Sequence, residues 1–323
     1  MKYKANIGEG IGDFVKQTDK LFLFLCISCS AISSFALYSW CKYVESPPNY
    51  RIFVVQMAAS VVGIVAALII SNINYRTLAS IWPIHAIATW GLVLLTFIRT
   101  GPFGVNNGTD NFSWIKLPMG MSLQPTELAK ISFIITFALH LSTVKQKMNE
   151  PKTLLLLLLH MFAPILLVHF QGDDGTALVF AVIGAVMLFS AGLSYKYIFA
   201  VLGVAAVSSP FLFPLLWGRL GDYQQNRILG LLSPDDPAYR QILYQQNMAR
   251  ISIGAGKVTG RGFFNSDHHY VPENQNDFIF SYIAESIGFI GSVIIVGLLI
   301  AIILKTFFTA MRAEDSLGSL ICI

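Results

Sequence analysis

Residues 277–304 read DFIFSYIAESIGFIGSVIIVGLLIAIIL. An aspartate opens a run that is apolar almost throughout, and a bilayer core is crossed by about 20 such residues as a helix. Backbone N–H and C=O groups in hydrocarbon must be satisfied within their own segment, so the run is predicted to be helical. The polar stretch before it, Val271-Pro-Glu-Asn-Gln-Asn276, places Asp277 at the mouth of the run. An ionisable side chain at a membrane boundary is a functional-site hypothesis by default.

Runs of the same kind recur along the chain of 323 residues, at roughly 21–40, 52–71, 81–98, 123–143, 153–170, 175–193, 197–217 and 277–304. Hydrophobic residues make up 54% and charged residues 12%, against about 25% charged in a soluble domain. The fold class expected is therefore all-α: a polytopic membrane helix bundle of about eight transmembrane helices. Residues 1–20 form an N-terminal segment and 21–323 a single membrane domain. The polar N-terminus shows no cleavage-like site after a short apolar core, so no removable signal is expected.

Charge sets the orientation. With the N-terminus cytoplasmic, eleven of the 22 Lys and Arg residues fall on the inside, among them Lys2, Lys16, Lys145, Lys147, Lys152 and Lys305. Six of the remaining eleven lie in one long loop, which weighs little in the positive-inside rule. Short loops thus favour an inside N-terminus by eleven to five, and two polar segments, 99–122 and 218–276, become outer loops. The larger lies between spans seven and eight. Net charge is only +4 and scattered, which offers no nucleic-acid stripe.

Several features read as structural. Cys26, Cys29, Cys41 and Cys322 have neither metal-site nor disulfide-framework spacing. His85, His140, His160 and His169 share no helical interval and are expected to pack inside the bundle. Asp267-His268-His269 is either a metal-binding fragment or a solvated loop. No internal repeat is apparent.

Three stretches carry candidate chemistry. Ser122-Leu-Gln-Pro-Thr-Glu-Leu-Ala-Lys130 reads as a helix start, with proline in the first turn and Glu127 at the positive helix end. Glu127 and Lys130, three apart, share a face and can pair, either as an interfacial anchor or as the lining of a polar cavity. Gln171-Gly-Asp-Asp-Gly-Thr-Ala177 reads as a tight turn whose Asp173 has Lys130 available as counter-charge. The 218–276 loop supplies Arg219, Arg227, Arg240, Arg250 and Arg261 with Gly254-Ala-Gly256 and Gly260-Arg-Gly262, residue types that suit anion contact.

Taken in order, these residues resemble the RodA/FtsW/SpoVE-like family of shape, elongation, division and sporulation proteins, from about residue 19 onward. The carriers are Trp114-Ile115, Gln124-Pro-Thr-Glu-Leu-Ala-Lys130, Asp173 with Gly175-Thr-Ala177, Arg227 with Pro234-Asp-Asp-Pro237, Tyr244-Gln245, Ile253-Gly-Ala-Gly256, Gly260-Arg-Gly262, Val271-Pro-Glu273, Asp277-Phe-Ile-Phe280 and Ala284-Glu285. The resemblance implies a peptidoglycan glycosyltransferase that polymerises lipid II at the outer face of the bacterial plasma membrane, beside a class B penicillin-binding protein transpeptidase and membrane lipids. It implies Asp277 as the catalytic acid, with Glu127, Lys130 and Asp173 as a supporting polar cluster. The chemistry agrees: a sugar hydroxyl attacking a lipid-diphosphate donor needs a carboxylate to take its proton. Arg227 and Lys130 are the candidates for offsetting the departing diphosphate, a role a divalent cation, Mg or Mn, also fits. Glu273, in the Val271-Pro-Glu273 match, is a further supporting candidate. Trp114 either stacks on a sugar or anchors its loop at the interface.

This sequence departs from the family pattern at Gly172-Asp-Asp-Gly-Thr176, where Asp174 adds an acid that can redirect an Asp173–Lys130 pair, and at Lys257, Asn276 and Ser286, where glycine, threonine and a second acid are usual. The resemblance also implies two further helices joined by a Pro-rich, Ser-Tyr-Gly-Gly-containing segment, and the sequence stops at Ile323, shortly after the eighth span. Two other functions fit such a chain: a flippase or transporter for lipid-linked precursors, and a shortened, non-catalytic scaffold for a penicillin-binding protein.

Overall fold

The computed structural model describes residues 19–105, 112–117, 121–234 and 236–323, so the expected segment 1–20 lies almost wholly outside the described residues. Twelve helices and one small hairpin are found there. The helices are α1 (Lys20–Tyr43), α2 (Arg51–Ser71), α3 (Tyr75–Ser80), α4 (Trp82–Leu95), α5 (Pro125–Val144), α6 (Pro151–Phe170), α7 (Asp174–Ala191), α8 (Tyr195–Trp217), α9 (Asp222–Leu232), α10 (Tyr244–Ala255), α11 (Ile279–Met311) and α12 (Ser316–Cys322). Strands β1 (Ile115–Lys116) and β2 (Ser122–Leu123) pair antiparallel in the 99–122 segment.

Among the described residues seven helices, α1, α2, α5, α6, α7, α8 and α11, are long and apolar enough to cross a membrane. The expected span at 81–98 is shorter. It is interrupted at Ile81, restarts with proline in its first turn, and is closed by a 3₁₀ turn to Ile98 and by Arg99 in the left-handed conformation. The expectation of an unbroken loop over 218–276 is corrected by α9 and α10. In α10, Ala249 and Ser252 lie three apart and share a buried face, as one side of an amphipathic helix does.

Local chemistry explains the helix starts. Asp19 accepts the Phe22 N–H at 3.0 Å, Asn74 accepts the Arg76 N–H at 2.9 Å, and Asp315 accepts the Gly318 N–H at 2.8 Å. Such caps satisfy donors that the first helical turn leaves unpaired. The Gly318 N–H, with Tyr75 and Arg76, holds the Asp315 carboxyl below the usual carboxylate range. A hydrogen bond from Lys305 and the Phe22 N–H do the same for Asp19.

The chain divides into two compact units, residues 1–72 with 204–305 and residues 73–203 with 306–323. The second is built on α5, with α4, α6, α7 and α12 packed around it. Its core holds Phe133, Phe137, Leu157, Phe180 and Met187, and Gly184 lets Met161 settle on the α7 backbone, since a Cβ there would lie 2.5 Å from Met161 Cγ. The expected packing role is seen here for three of the four histidines, since His85 Nδ1 meets Ser132 Oγ at 2.8 Å and His140 Nδ1 meets His160 Nδ1 at 3.1 Å, whereas His169 is exposed at the end of α6 and pairs with Asp174.

In the first unit Ala36, Trp40 and Cys41 of α1 pack on Tyr282 and Ile283 of α11. Ser30 and Ser60 bond across α1 and α2 at 2.7 Å, the kind of polar contact that holds helices together where lipid gives no hydrophobic drive. Helix α2 buries no residue, which suits a surface solvated by acyl chains.

The decisive local feature is a break inside α11. Gly288 has φ 67 and ψ −167, so residues 279–287 form a short half-helix and the rest a longer one. The backbone groups freed by the break are taken up by residues 257–262. Glu285 and Ser286 carbonyls accept the Arg261 and Gly262 N–H groups, both at 2.8 Å. Conversely, Phe289 and Ile290 N–H groups donate to Lys257 and Val258 carbonyls at 2.8 and 3.2 Å. A Cβ on Gly260 would fall 2.2 Å from the Ser286 carbonyl oxygen, and one on Gly288 2.3 Å from the Gly260 nitrogen. The glycines read from sequence as anion-approach residues therefore serve backbone packing at Gly256 and Gly260. Lys257, where the family pattern has glycine, sits at φ 49, a conformation costing a side-chain-bearing residue roughly 1 kcal/mol.

Gly288→Ala is expected to destabilise the protein by about 1–3 kcal/mol or more, read as a lowered Tm in detergent, whereas Gly254→Ala, whose Cβ would meet nothing within 4 Å, should leave Tm unchanged or raised.

Candidate active site

Asp277 closes the turns of residues 272–278 that lead into the α11 half-helix. It is exposed, and among the described residues no hydrogen bond or ion pair engages its carboxylate. The turn itself is firmly held. Asn276 and Phe278 N–H groups donate to the Glu273 carbonyl at 3.0 and 3.3 Å, and Ile279 N–H to the Asn276 carbonyl at 3.2 Å. Glu273 adopts φ 57, a strained setting of the sort that persists only where surroundings over-determine it. Its Oε2 accepts the Asn276 and Gln275 side-chain amides at 2.9 and 3.2 Å. Asn276, in place of the usual threonine, thus has a defined job.

Below the turn, buried Asn274 accepts the Trp40 indole N–H at 2.8 Å, and Val271 is buried. Tyr282 donates to Ser39 Oγ at 2.9 Å, and Ser39 in turn donates to the Phe263 carbonyl. An exposed, uncommitted carboxylate on a locked turn is an arrangement suited to taking a proton from a ligand.

Two turns along the half-helix lies a residue that the site reading from sequence missed. Glu285 is wholly buried, and its carboxylate accepts from Ser252 Oγ at 2.8 Å, from Arg261 Nη1 at 3.1 Å and from the His269 N–H at 3.1 and 3.2 Å, with His269 Nδ1 at 2.7 Å. The buried His268 side chain lies against the Tyr282 ring at a tilt of 59°, with Nδ1 3.7 Å from Glu285 Oε2 and beyond hydrogen-bond length. The signal was present: an acid inside an apolar run is a functional flag on its own. Ser286, in place of a second acid, is buried and donates to the Tyr282 carbonyl at 2.8 Å. Among the described residues no three His, Cys, Asp or Glu side chains gather into a metal site.

Arg227 lies exposed on α9, on a helix rather than in the expected loop. In the second unit, Lys130 pairs with Glu127 at 2.8 Å in the first turns of α5, as expected. The expected Asp173–Lys130 pairing is not formed. Asp173 is buried at the start of α7, where it accepts the Thr176 N–H at 3.1 Å and the Gln124 side-chain amide at 2.7 Å. Helix capping claims this carboxylate because α7 begins one residue later. Asp174 turns instead to His169. Trp114 is half-buried and forms an isolated bridge with Val105.

A profile of the FtsW/RodA/SpoVE cell cycle protein family matches residues 17–323. The chain belongs to this family. Among its FtsW/RodA/SpoVE relatives, a probable peptidoglycan glycosyltransferase FtsW of Geobacter metallireducens is 28% identical over 98% of this chain and 82% of its own length. The peptidoglycan glycosyltransferase MrdB of Escherichia coli is 32% identical over 70% of this chain, which spans 60% of that protein. The fold agrees with the crystal structure of Thermus thermophilus rod shape determining protein RodA at a TM-score of 0.61 and 21% identity, covering 94% of this chain and 79% of that one. It agrees at 0.71 and 22% identity, over 94% and 81%, with a chain of a structure described as "Structural coordination of polymerization and crosslinking by a peptidoglycan synthase complex".

Because Asp173 acts as a cap, Asp173→Ser should keep Tm near wild type while Asp173→Ala lowers stability by about 1 kcal/mol. Equal losses for both variants in a thermal melt would show that the carboxylate does more than cap α7.

Proposed function

We propose that this protein is a peptidoglycan glycosyltransferase polymerising lipid II at the outer face of the bacterial plasma membrane, with Asp277 as general base. The observation that carries the reading is the exposed, unpaired Asp277 carboxylate on an over-determined turn, in a chain whose relatives are named as peptidoglycan glycosyltransferases. Chain growth joins an acceptor hydroxyl to the anomeric carbon of a lipid-diphosphate donor. Asp277 takes the hydroxyl proton as the new glycosidic bond forms, and the bond to the diphosphate breaks with its electron pair leaving on oxygen. Such a base supplies about 10²–10⁴-fold in rate. Arg227 and Lys130 are proposed to offset the charge of the leaving group, and Glu127 holds the Lys130 ammonium. Trp114 is proposed to hold its segment at the sugar-bearing face.

A divalent cation, Mg or Mn, enters only as a companion of the diphosphate: Mg takes one or two carboxylates plus phosphate oxygens, and Asp277 is the exposed carboxylate that would meet it there. No step above depends on it. The structural relative from a peptidoglycan synthase complex supports a partner of the class B penicillin-binding type. The flippase reading is less favoured: α11 is broken at Gly288, as transporter helices often are, but the relatives are named as peptidoglycan glycosyltransferases.

With labelled lipid II and the partner present, wild type is expected to give glycan ladders that Asp277→Ala loses by at least about 100-fold. A chelator should reduce them if the cation takes part. Ladders of wild-type intensity from a folded Asp277→Ala protein would exclude Asp277 as the base.

A further inference from the structure

The mechanism leaves unused a buried carboxylate of the first unit that gathers bonds from Ser252, Arg261 and His269. Glu285 buries a charge completely, which costs several kcal/mol per ion unless pairing and hydrogen bonds offset it. Well-packed apolar residues in place of such a buried pair are often neutral or stabilising, so overall stability is a poor reason for this carboxylate. Its partners give a better one. Arg261 is tied to Glu285 twice, by its N–H to the Glu285 carbonyl at 2.8 Å and by Nη1 to Oε1 at 3.1 Å. His269 is also tied twice, by its N–H and by Nδ1. Ser252 brings in α10 by bonding both Oε2 and the Ser281 carbonyl, at 2.8 and 3.1 Å.

These bonds close a loop. Residues 269–278 leave the carboxylate at His269, carry Asp277, and return to the same residue through one covalent half-helix. Trp40 fixes the middle of the loop at Asn274. Of its residues only Val271 and Asn274 are buried, so its end-to-end closure leans on Glu285.

We infer that Glu285 is a positioning residue for Asp277: its buried carboxylate clasps Arg261 and His269 to the half-helix, and so fixes the loop that presents the base. This rests on the reading of Asp277 as the base. Removing the charge loosens the clasp without touching substrate, so turnover falls while substrate binding persists.

The test uses the full chain with its transpeptidase partner and labelled lipid II, comparing wild type with Glu285→Gln, and with Ser252→Ala as the milder variant that keeps both Arg261 and His269. Hydrogen exchange of the 270–278 amides is measured on the same samples. Glu285→Gln is expected to lower kcat by about tenfold to a hundredfold, the scale of a small misplacement, with KM within about twofold, and to speed exchange in 270–278 while α6 and α7 amides stay as in wild type. Ser252→Ala should move both readouts the same way by a few-fold. Unchanged loop exchange, or faster exchange with unchanged kcat, would overturn the clasp. A fully active Asp277→Ala protein would overturn the underlying reading of the base instead.

Discussion

The first unit depends on one constraint: a helix broken in an apolar setting must have its freed backbone groups satisfied. The break at Gly288 frees carbonyls on one side and N–H groups on the other, and residues 257–262 meet both sets. An unsatisfied group in hydrocarbon costs several kcal/mol, so this short turn cannot drift from the half-helix. Much else follows from that docking. It brings Arg261 against Glu285, places the start of the 269–278 loop beside the same half-helix, and leaves Asp277 at the end of a closed path rather than on a free tail. Gly260 and Gly288 are required because their backbones approach to distances no Cβ tolerates.

The family departures are absorbed locally. Lys257 accepts a left-handed backbone because its carbonyl is needed by Phe289 N–H. Ser286 replaces an acid with a hydroxyl that bonds back into its own helix, so Glu285 faces no second buried charge. Asp174, the added acid, is drawn to His169 and leaves Asp173 to cap α7. These three lie outside the Asp277 turn, and the fourth, Asn276, bonds to Glu273 within it.

How much was legible follows from the range of each interaction. The spanning helices could be read because hydrocarbon imposes length and apolarity on each segment separately, and the Glu127–Lys130 pair because its members are three residues apart on one helix. The cap at Asp173 is also local, an acid three residues before the N–H it accepts, but the sequence alone offers Lys130 as a competing partner. The Glu285 cluster was not readable as a cluster, since Ser252, Arg261 and His269 converge from another helix and a loop. Pattern gives no warning of the helix break either: glycines are frequent in membrane helices, and only the three-dimensional approach of residues 257–262 distinguishes Gly288 from Gly297, whose Cβ would meet nothing.

The central claim is that this locked turn delivers a carboxylate to the reacting sugar. It is tested most directly by an experimental structure of Asp277→Asn, in the presence of its partner, with donor and acceptor lipid-linked sugars bound. The account predicts the acceptor hydroxyl within about 2.6–3.2 Å of the residue 277 side chain, with the 269–278 loop still joined to Glu285. Sugars seated well away from residue 277, with the turn unchanged, would contradict it.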